Sequence, residues 1–345
     1  MTKQTRLIIL IACIVCFLLG AAILIPYSMG ERFDFQKMKL TSTGGIYVRA
    51  FPLADQITVD SKIKEKPSIL SNSIFVQSLV PNFHTVLVQK TGYYDYSKII
   101  PVKEKEVTKI ENITLFKKNI QFEVTKNTAQ SPFSSQKTTP VIKNSVAFNA
   151  TNSSIIWLST AGLLWQSDST GKNPIKLTTT PIKISKVGTY KILISEQKTF
   201  VVANGNLLLL NTKTSNLDLF SSFAKDAKLS PDGKNIVYFD DNHIYISLAS
   251  KSSGENNPVY TSSDLFGNLQ WINNDYVVFT AGDKIIISEI DYRGNINKII
   301  LPQKITLVPD KEIAITNPKI LFNQQTGKLY IQTGNTILVS EKILP

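Results

Sequence analysis

Residues 7–25 admit few fates. Leu7 to Ile25 runs for nineteen residues without a charged or strongly polar side chain. At 1.5 Å of rise per residue such a helix spans roughly 28 Å, close to the hydrocarbon thickness of a bilayer. It is long enough to cross once. Lys3 and Arg6 stand in the short tail before it, so the positive-inside rule keeps residues 1–6 in the cytoplasm and sends the remainder across. Tyr27 sits where an interfacial aromatic belongs. Gly20, Ala21 and Ala22 would suit a signal peptidase, but the apolar run continues to Ile25, which favours an uncleaved anchor. Leu10-Ile11-Ala12-Cys13 has the form of a lipoprotein processing box, yet only about four apolar residues precede it, against the ~7–15 of a signal h-region. With no second apolar run of this length, the expectation is a single-pass protein of the cell membrane, its C-terminal bulk extracytoplasmic, with residues 26–42 a juxtamembrane linker.

The remainder reads as mostly β. Asn, Ser, Thr, Ile and Val recur while alanine is sparse, and β-branched side chains suit a pleated, half-buried surface. Both cysteines, Cys13 and Cys16, lie in the apolar run, so no disulfide framework serves the rest. The net charge of +12 is diffuse: +3 over residues 1–40, +4 over 41–119, +2 over 120–145 and +3 over 146–345. The arginines are few and scattered, Arg6, Arg32 and Arg293 among them. A duplex-binding footprint clusters Lys and Arg on one element, so nucleic acid is not an expected partner. A diffusely basic surface favours anionic envelope polymers.

From Thr43 short alternating runs appear between turn signals: Gly45 to Val48, Gln56 to Asp60, Thr85 to Val88 and Ile110 to Phe116, with Phe51-Pro52, Asp60-Ser61, Val80-Pro81-Asn82 and Thr91-Gly92 between them. They predict a small sandwich over residues 43–118. In order and spacing, Gly45-Ile46-Tyr47-Val48, Pro52-Leu53-Ala54-Asp55, Ile57-Thr58-Val59-Asp60 and Lys90-Thr91-Gly92-Tyr93 resemble a PEGA domain. The namesake tetrapeptide keeps only its proline, and Ser61 replaces the usual turn glycine. The resemblance implies a β-sandwich of surface proteins, an interaction or spacer module with no catalytic residues. Residues 119–145, polar and without periodicity, read as a linker.

From residue 146 to 345 apolar strands alternate with polar turns, among them Ile155 to Leu158, Leu163 to Trp165, Lys191 to Ile194, Phe200 to Ala203 and Leu207 to Leu210. A strand, a tight polar turn and a second strand recur at 228–239, 269–279 and 320–331, with weaker starts near Phe148 and Ile184. The first two begin about 41 residues apart and the third about 51 further on, within the ~40–50 residue period of propeller blades. Leu229-Ser230-Pro231-Asp232-Gly233 resembles the blade hairpin of TolB-type and WD-repeat-like β-propellers, where Pro presets φ and Asp-Gly makes the turn. The three clear and two weaker starts suggest about five blades, within a range of four to seven.

Little in the chain points to catalysis. His84 and His243, the two histidines, stand apart from any metal-ligand or triad spacing; His84 reads as a surface residue before a strand, and His243 as a turn residue beside carboxylates. Ser61-Lys62-Ile63-Lys64 and Lys90-Thr91-Gly92 match two elements of serine transpeptidases, but both fall in turns of a small sandwich, about 29 residues apart. Asp240-Asp241-Asn242 and Asp232-Gly233 lack the carboxylate spacing of a calcium loop. Asn112-Ile113-Thr114 and Asn152-Ser153-Ser154 fit the glycosylation pattern, which chance supplies often in a chain rich in Asn and Ser. No catalytic, cofactor or metal residue is assigned. The leading expectation is a non-enzymatic envelope protein that presents a propeller-like platform to a protein or glycan. Its rival is an envelope-polymer hydrolase or lyase using Asp240, Asp241 and Asp275 at the mouth of the propeller.

Overall fold

The computed structural model describes residues 3–34, 38–125, 133, 142–195, 198–255, 258–307 and 311–344. The apolar run lies in one helix, Lys3–Ser28, whose segment Gln4–Ser28 is long and apolar enough to cross a membrane or to act as a signal sequence, with none of its apolar window buried. The helix outruns the expected segment at both ends. At its C-terminus Ser28 Oγ donates to the Ile25 carbonyl at 2.8 Å, and Gly30, at φ +81°, turns the chain out of the helix. The stretch read as a juxtamembrane linker instead carries an antiparallel pair, Glu31–Asp34 with Lys39–Ser42. Four-residue strands offer too few alternations to stand out in a sequence.

Two compact units follow from the contacts, residues 1–119 together with 293–297, and residues 120–292 together with 298–344. In the first unit a three-stranded sheet (Ser73–Leu79, Gly44–Phe51, Val107–Thr114) and a four-stranded sheet (Ile63–Glu65, Gln56–Val59, Phe83–Gln89, Tyr96–Pro101) share one core. Ile46, Val48, Ile74 and Ile110 meet Ile57, Val86, Val88 and Ile100 there. Gly44–Phe51 pairs in parallel with Val107–Thr114, so the opening strand of these two sheets runs beside their closing one. His84 is not a surface residue. It lies within Phe83–Gln89 on the face of Val86 and Val88, is 7% exposed, and has Nδ1 2.6 Å from Asp60 Oδ2 and Nε2 2.8 Å from the Val80 carbonyl. The strand begins at Phe83, two residues earlier than the sequence suggests, which takes His84 into the strand with its imidazole on the buried face.

The free edge of Tyr96–Pro101 is covered by residues 293–297. Asn295 accepts from Ile99 N at 2.6 Å and donates to the Ser97 carbonyl at 2.7 Å, Asn297 Oδ1 accepts from Ser97 N at 3.0 Å, and the buried Lys98 donates to the Asn295 carbonyl. An uncovered strand edge is a template for unwanted pairing. Gly294 permits the approach: it adopts φ +69°, and a Cβ there would fall 1.7 Å from the Ile99 carbonyl oxygen.

The second unit is built from successive antiparallel sheets. Among the described residues it holds four meanders of four strands in sequence order: Ser145–Ala150, Ser154–Ser159, Leu164–Asp168 and Ile175–Lys176; Tyr190–Ile194, Thr199–Ala203, Asn206–Asn211 and Asn216–Ser221; Asp226–Leu229, Asn235–Phe239, His243–Leu248 and Tyr260–Thr261; Phe266–Trp271, Tyr276–Ala281, Lys284–Glu289 and Lys298–Ile300. A two-stranded hairpin, Lys304–Leu307 with Lys311–Ala314, comes next. The fifth four-stranded sheet joins Lys319–Asn323, Lys328–Thr333 and Thr336–Lys342 to Phe122–Val124. The three expected hairpins form in the third, fourth and fifth sheets. In the first of them Gly233, at φ +67°, donates its N–H to the Ser230 carbonyl at 2.8 Å. Phe148 falls on the first strand of the first sheet, whereas Ile184 precedes the second sheet by six residues.

The sheets stack face to face. Ile156, Leu158 and Leu164 of the first pack on Ile192 and Val201 of the second; Phe220 of the second, itself edge-on to Phe200, meets Tyr238 of the third edge-on; Val237, Phe239 and Ile246 of the third pack on Leu269, Trp271 and Val277 of the fourth. Inner strands are therefore covered on both faces. Thr199–Ala203 and Tyr276–Ala281 are buried at every position, which is why they read as continuous apolar runs without alternation.

Phe122–Val124 falls inside the stretch read as a linker; three residues leave no periodic trace. Residues 126–132 and 134–141 of that stretch lie outside the described residues. The strand pairs Phe122 with Ser340 and Val124 with Leu338, so chain that precedes the first sheet completes the last one. Phe122 is 6% exposed. Phe122→Ala should cost about 3 kcal/mol. Denaturant unfolding followed by the fluorescence of Trp157, Trp165 and Trp271, all in the second unit, measures it.

Candidate binding site where the first strands of the second unit meet

The first strands of consecutive sheets touch one another. Ser145–Ala150 lies against Tyr190–Ile194, which lies against Asp226–Leu229, and Phe266–Trp271 lies against Lys319–Asn323. Trp271 Nε1 closes the remaining step by donating to the Lys228 carbonyl at 3.1 Å. A first strand has only one partner within its own sheet, so its other edge presents unpaired backbone groups. Neighbouring side chains satisfy several of them. Asn149 Nδ2 donates to the Ile192 carbonyl at 2.8 Å and Lys191 Nζ to the Ala227 carbonyl at 2.9 Å.

Lys191 also donates to Asp226 Oδ1 at 2.7 Å. The period-two geometry of a strand puts Asp226 and Lys228 on one face and sends Ala227, fully buried, into the core. Burial pushes the Lys228 amine down to about 8, the nearby Lys191 charge adds to the effect, and Asp226 opposes it in part. Among the described residues Lys228 Nζ has no hydrogen-bond partner. Two amines thus share one carboxylate.

Of the two, Lys191 lines a cavity of about 450 Å³ together with Ile142, Ser145, Val146, Ala147, Phe148 and Tyr190. That is within the ~300–1,000 Å³ of small-ligand pockets. Phe148 begins a cross-strand aromatic row with Trp157 and Trp165, whose rings stack 6.3 Å apart at 13°. The site therefore combines an apolar wall with ammonium groups set into a strand edge, an arrangement that can hold an anionic group carried on an apolar or ring-shaped frame.

The residues singled out in the sequence lie elsewhere. Asp240 Oδ1 accepts from Asn242 N and His243 N at 2.8 and 2.7 Å, and both its carboxylate oxygens lie 3.0 Å from His243 Nδ1. Asp241 pairs with Lys225. Asp275 stands in the next sheet's first turn, where its N–H donates to Asn273 Oδ1 at 2.9 Å. The three carboxylates are not brought together. Asp232 N donates to Asn274 Oδ1 at 3.0 Å, which sets the Asp275 turn beside the start of Asn235–Phe239, whereas Asp240 and Asp241 follow the end of that strand. A five-residue strand is about 16 Å long. A glycosidase pair needs roughly 5–9.5 Å.

Ser61, at φ +58°, forms a turn with Asp60, and Thr91 N and Oγ1 both donate to Asp55 Oδ2 at 2.8 Å. These bonds, with the Lys90 charge, hold the Asp55 carboxyl below its ordinary value. Lys90 Nζ donates to the Leu53 carbonyl at 2.9 Å, so the transpeptidase-like tripeptides serve turns. The Asp232 carboxylate accepts from Ser230 Oγ and Lys234 N at the edge of a smaller cavity of about 330 Å³. Among the described residues no three His, Cys, Asp or Glu side chains converge as a metal site would require. Lys191, Asp226 and Lys228 escaped the sequence reading. The available signal was the alternation Asp226-Ala227-Lys228 directly before the Leu229-Ser230-Pro231 turn, which puts charge on one face of a strand in an otherwise apolar repeat.

The chain matches no protein-family model and no curated protein. Among solved structures it is similar to YCF48 bound to D1 peptide, at 10% identity and a TM-score of 0.39 over 86% of this chain and 81% of that one. It is also similar to Hsv2 of Kluyveromyces lactis, at 12% identity and 0.39 over 72% and 66% of the two chains. A gluconolactonase, XC5397 of Xanthomonas campestris, aligns at 12% identity and 0.34 over 56% and 69%. At these scores the likenesses carry no argument about fold or function, which rest on the chain's own geometry.

The Lys228 amine has a measurable signature. Its folded-state value lies below that of the unfolded chain, so the cost of burying the ammonium is present at neutral pH and fades as pH rises from about 8 toward 10.5. Lys228→Met is therefore expected to raise stability at pH 7, by up to about 3 kcal/mol, with the gain vanishing above pH 10.5. Thermal unfolding of the detergent-solubilised chain at the two pH values checks this, and an equal gain at both would contradict the assignment.

Proposed function

We propose that the chain is a non-enzymatic, membrane-tethered binding protein of the cell envelope, its helix an uncleaved anchor and its two units extracytoplasmic. In this reading the first unit is a PEGA-like sandwich. The second is a β-propeller whose five four-stranded sheets are the blades, tied end to end by the pairing of Phe122–Val124 with Thr336–Lys342. The hub then takes an anionic group of a protein or glycan partner. The observation that carries this reading is the pair Lys191 and Lys228 around Asp226, beside a cavity with an aromatic wall. Charge-assisted hydrogen bonds from half-buried ammonium groups are strong and directional. Half-buried amines without their own full set of acceptors favour a ligand that supplies them.

Fluorescence anisotropy of the solubilised chain with a uronic-acid oligosaccharide and with an acidic peptide tests the hub. The expected outcome is binding of at least one probe, weakened about tenfold in Lys228→Met. Because the Lys228 ammonium loses its proton through about 8, the affinity should also fall between pH 7 and pH 9. Probes that bind the variant and the parent chain alike would dismiss the hub as the site. The topology has a separate test. Protease added to intact cells should remove residues beyond about 30 while leaving the helix in the membrane, and full protection of the C-terminal region would reverse the orientation.

A further inference from the structure

The helix does not deliver the chain directly into water-facing structure. Three residues after Ser28 the hairpin Glu31–Asp34 with Lys39–Ser42 begins, and its two faces differ. Arg32 and Thr41, opposite one another, face the body of the first unit: Thr41 is 4% exposed, and Arg32 Nη2 lies 3.3 Å from Ser78 Oγ. Phe33 and Leu40, the next cross-strand pair, face outward and are 42% and 54% exposed, with Met38 beside them at 72%. A strand alternates sides with period two, so one face docked on the unit leaves the other facing away from it. Here that other face is apolar.

The hairpin is fixed at the end of the helix. The Arg32 guanidinium lies 3.6 Å from the centroid of the Tyr27 ring and donates to the Tyr27 carbonyl at 3.0 Å. The Gly30 carbonyl accepts from Thr43 N and Thr43 Oγ1 at 3.0 and 2.6 Å. Phe33 stands five residues beyond Ser28, at most about 18 Å of extended chain. An aromatic paired with a cation beside the last turn of a spanning helix is the composition of a membrane–water boundary.

We propose that Phe33 and Leu40 lie in the headgroup and upper acyl region of the bilayer that the helix crosses, making the hairpin a second, interfacial hold on the membrane. The inference rests on the anchor reading above and adds to it a lipid-facing surface that fixes the first unit against the membrane. The occupant is lipid because the hairpin begins three residues after the apolar helix and its first strand lies against that helix. Ile69 and Leu70, also exposed, serve as the contrast. They precede Ser73–Leu79, at the opposite end of that strand from Ser78, which Arg32 reaches.

The test uses the full-length chain in phosphatidylcholine vesicles, with an environment-sensitive fluorophore at a single cysteine. Sites are Phe33→Cys, Leu40→Cys and Ile69→Cys in a Cys13→Ala, Cys16→Ala background, and native Cys13 in Cys16→Ala alone. Quenching by nitroxide lipids is expected to be at least about threefold stronger at positions 33 and 40 than at 69, with the reverse order for aqueous iodide. Positions 33 and 40 behaving like 69, while Cys13 is quenched from the lipid, would overturn the hairpin contact and leave the anchor standing. Failure of nitroxide lipid to quench Cys13 would remove the anchor and the inference together.

Discussion

Among the described residues the first strand of each four-stranded sheet of the second unit has one edge with no strand paired to it, and the unit depends on how those edges are satisfied. A lone strand edge facing its neighbours would strand carbonyl groups away from water, at a cost comparable to a lost hydrogen bond for each. The side chains of Asn149, Lys191 and Trp271 fill this role, each reaching from one first strand to a carbonyl of a neighbouring one, Asn149 and Lys191 forward along the chain and Trp271 backward. Such bonds require the first strands to lie together, which gathers polar side chains at one place in a unit whose sheet faces are apolar. Lys191 meets Asp226 because both belong to strands that must converge. Lys228 is half-buried for the same reason. The candidate site is a by-product of edge satisfaction, and its chemistry follows from the donors chosen for that task.

The first unit meets the edge problem by another route. The exposed side of Tyr96–Pro101 is covered by residues distant in sequence, and only glycine at 294 lets the two backbones approach. The parallel pairing of Gly44–Phe51 with Val107–Thr114 needs the whole intervening stretch as its crossover. In both units long-range partners complete what local hairpins begin.

This division explains which features could be read from the sequence. The apolar helix and the Pro-Asp-Gly hairpin were legible because their determinants are local: nineteen uninterrupted apolar residues, and a turn whose φ angles are set by Pro231 and Gly233. Thr85 to Val88 was legible through its alternation. The strands Glu31–Asp34 and Phe122–Val124 were not, being three or four residues long and defined by a partner elsewhere. His84 was placed just before the strand, whereas the strand starts at Phe83 and carries it on the buried face. The partial burial of Lys228 was invisible for a different reason. Whether a strand lysine is solvated or buried is decided by the neighbouring sheet, and nothing beside Lys228 in the chain records that neighbour.

The pairing of Phe122–Val124 with Thr336–Lys342 also sets a clock. The bond from Gln121 to Glu341 spans 220 residues, and synthesis at roughly 5–20 residues per second supplies that length in about 10–45 seconds. For that interval the early strand is on hand without its partner, while the sheets between can assemble from neighbours already made. The first four sheets are meanders of consecutive strands and can close in the order of their appearance. The fifth cannot. Maturation of the second unit is therefore gated by the arrival of its last strand, whatever the rate at which its parts fold.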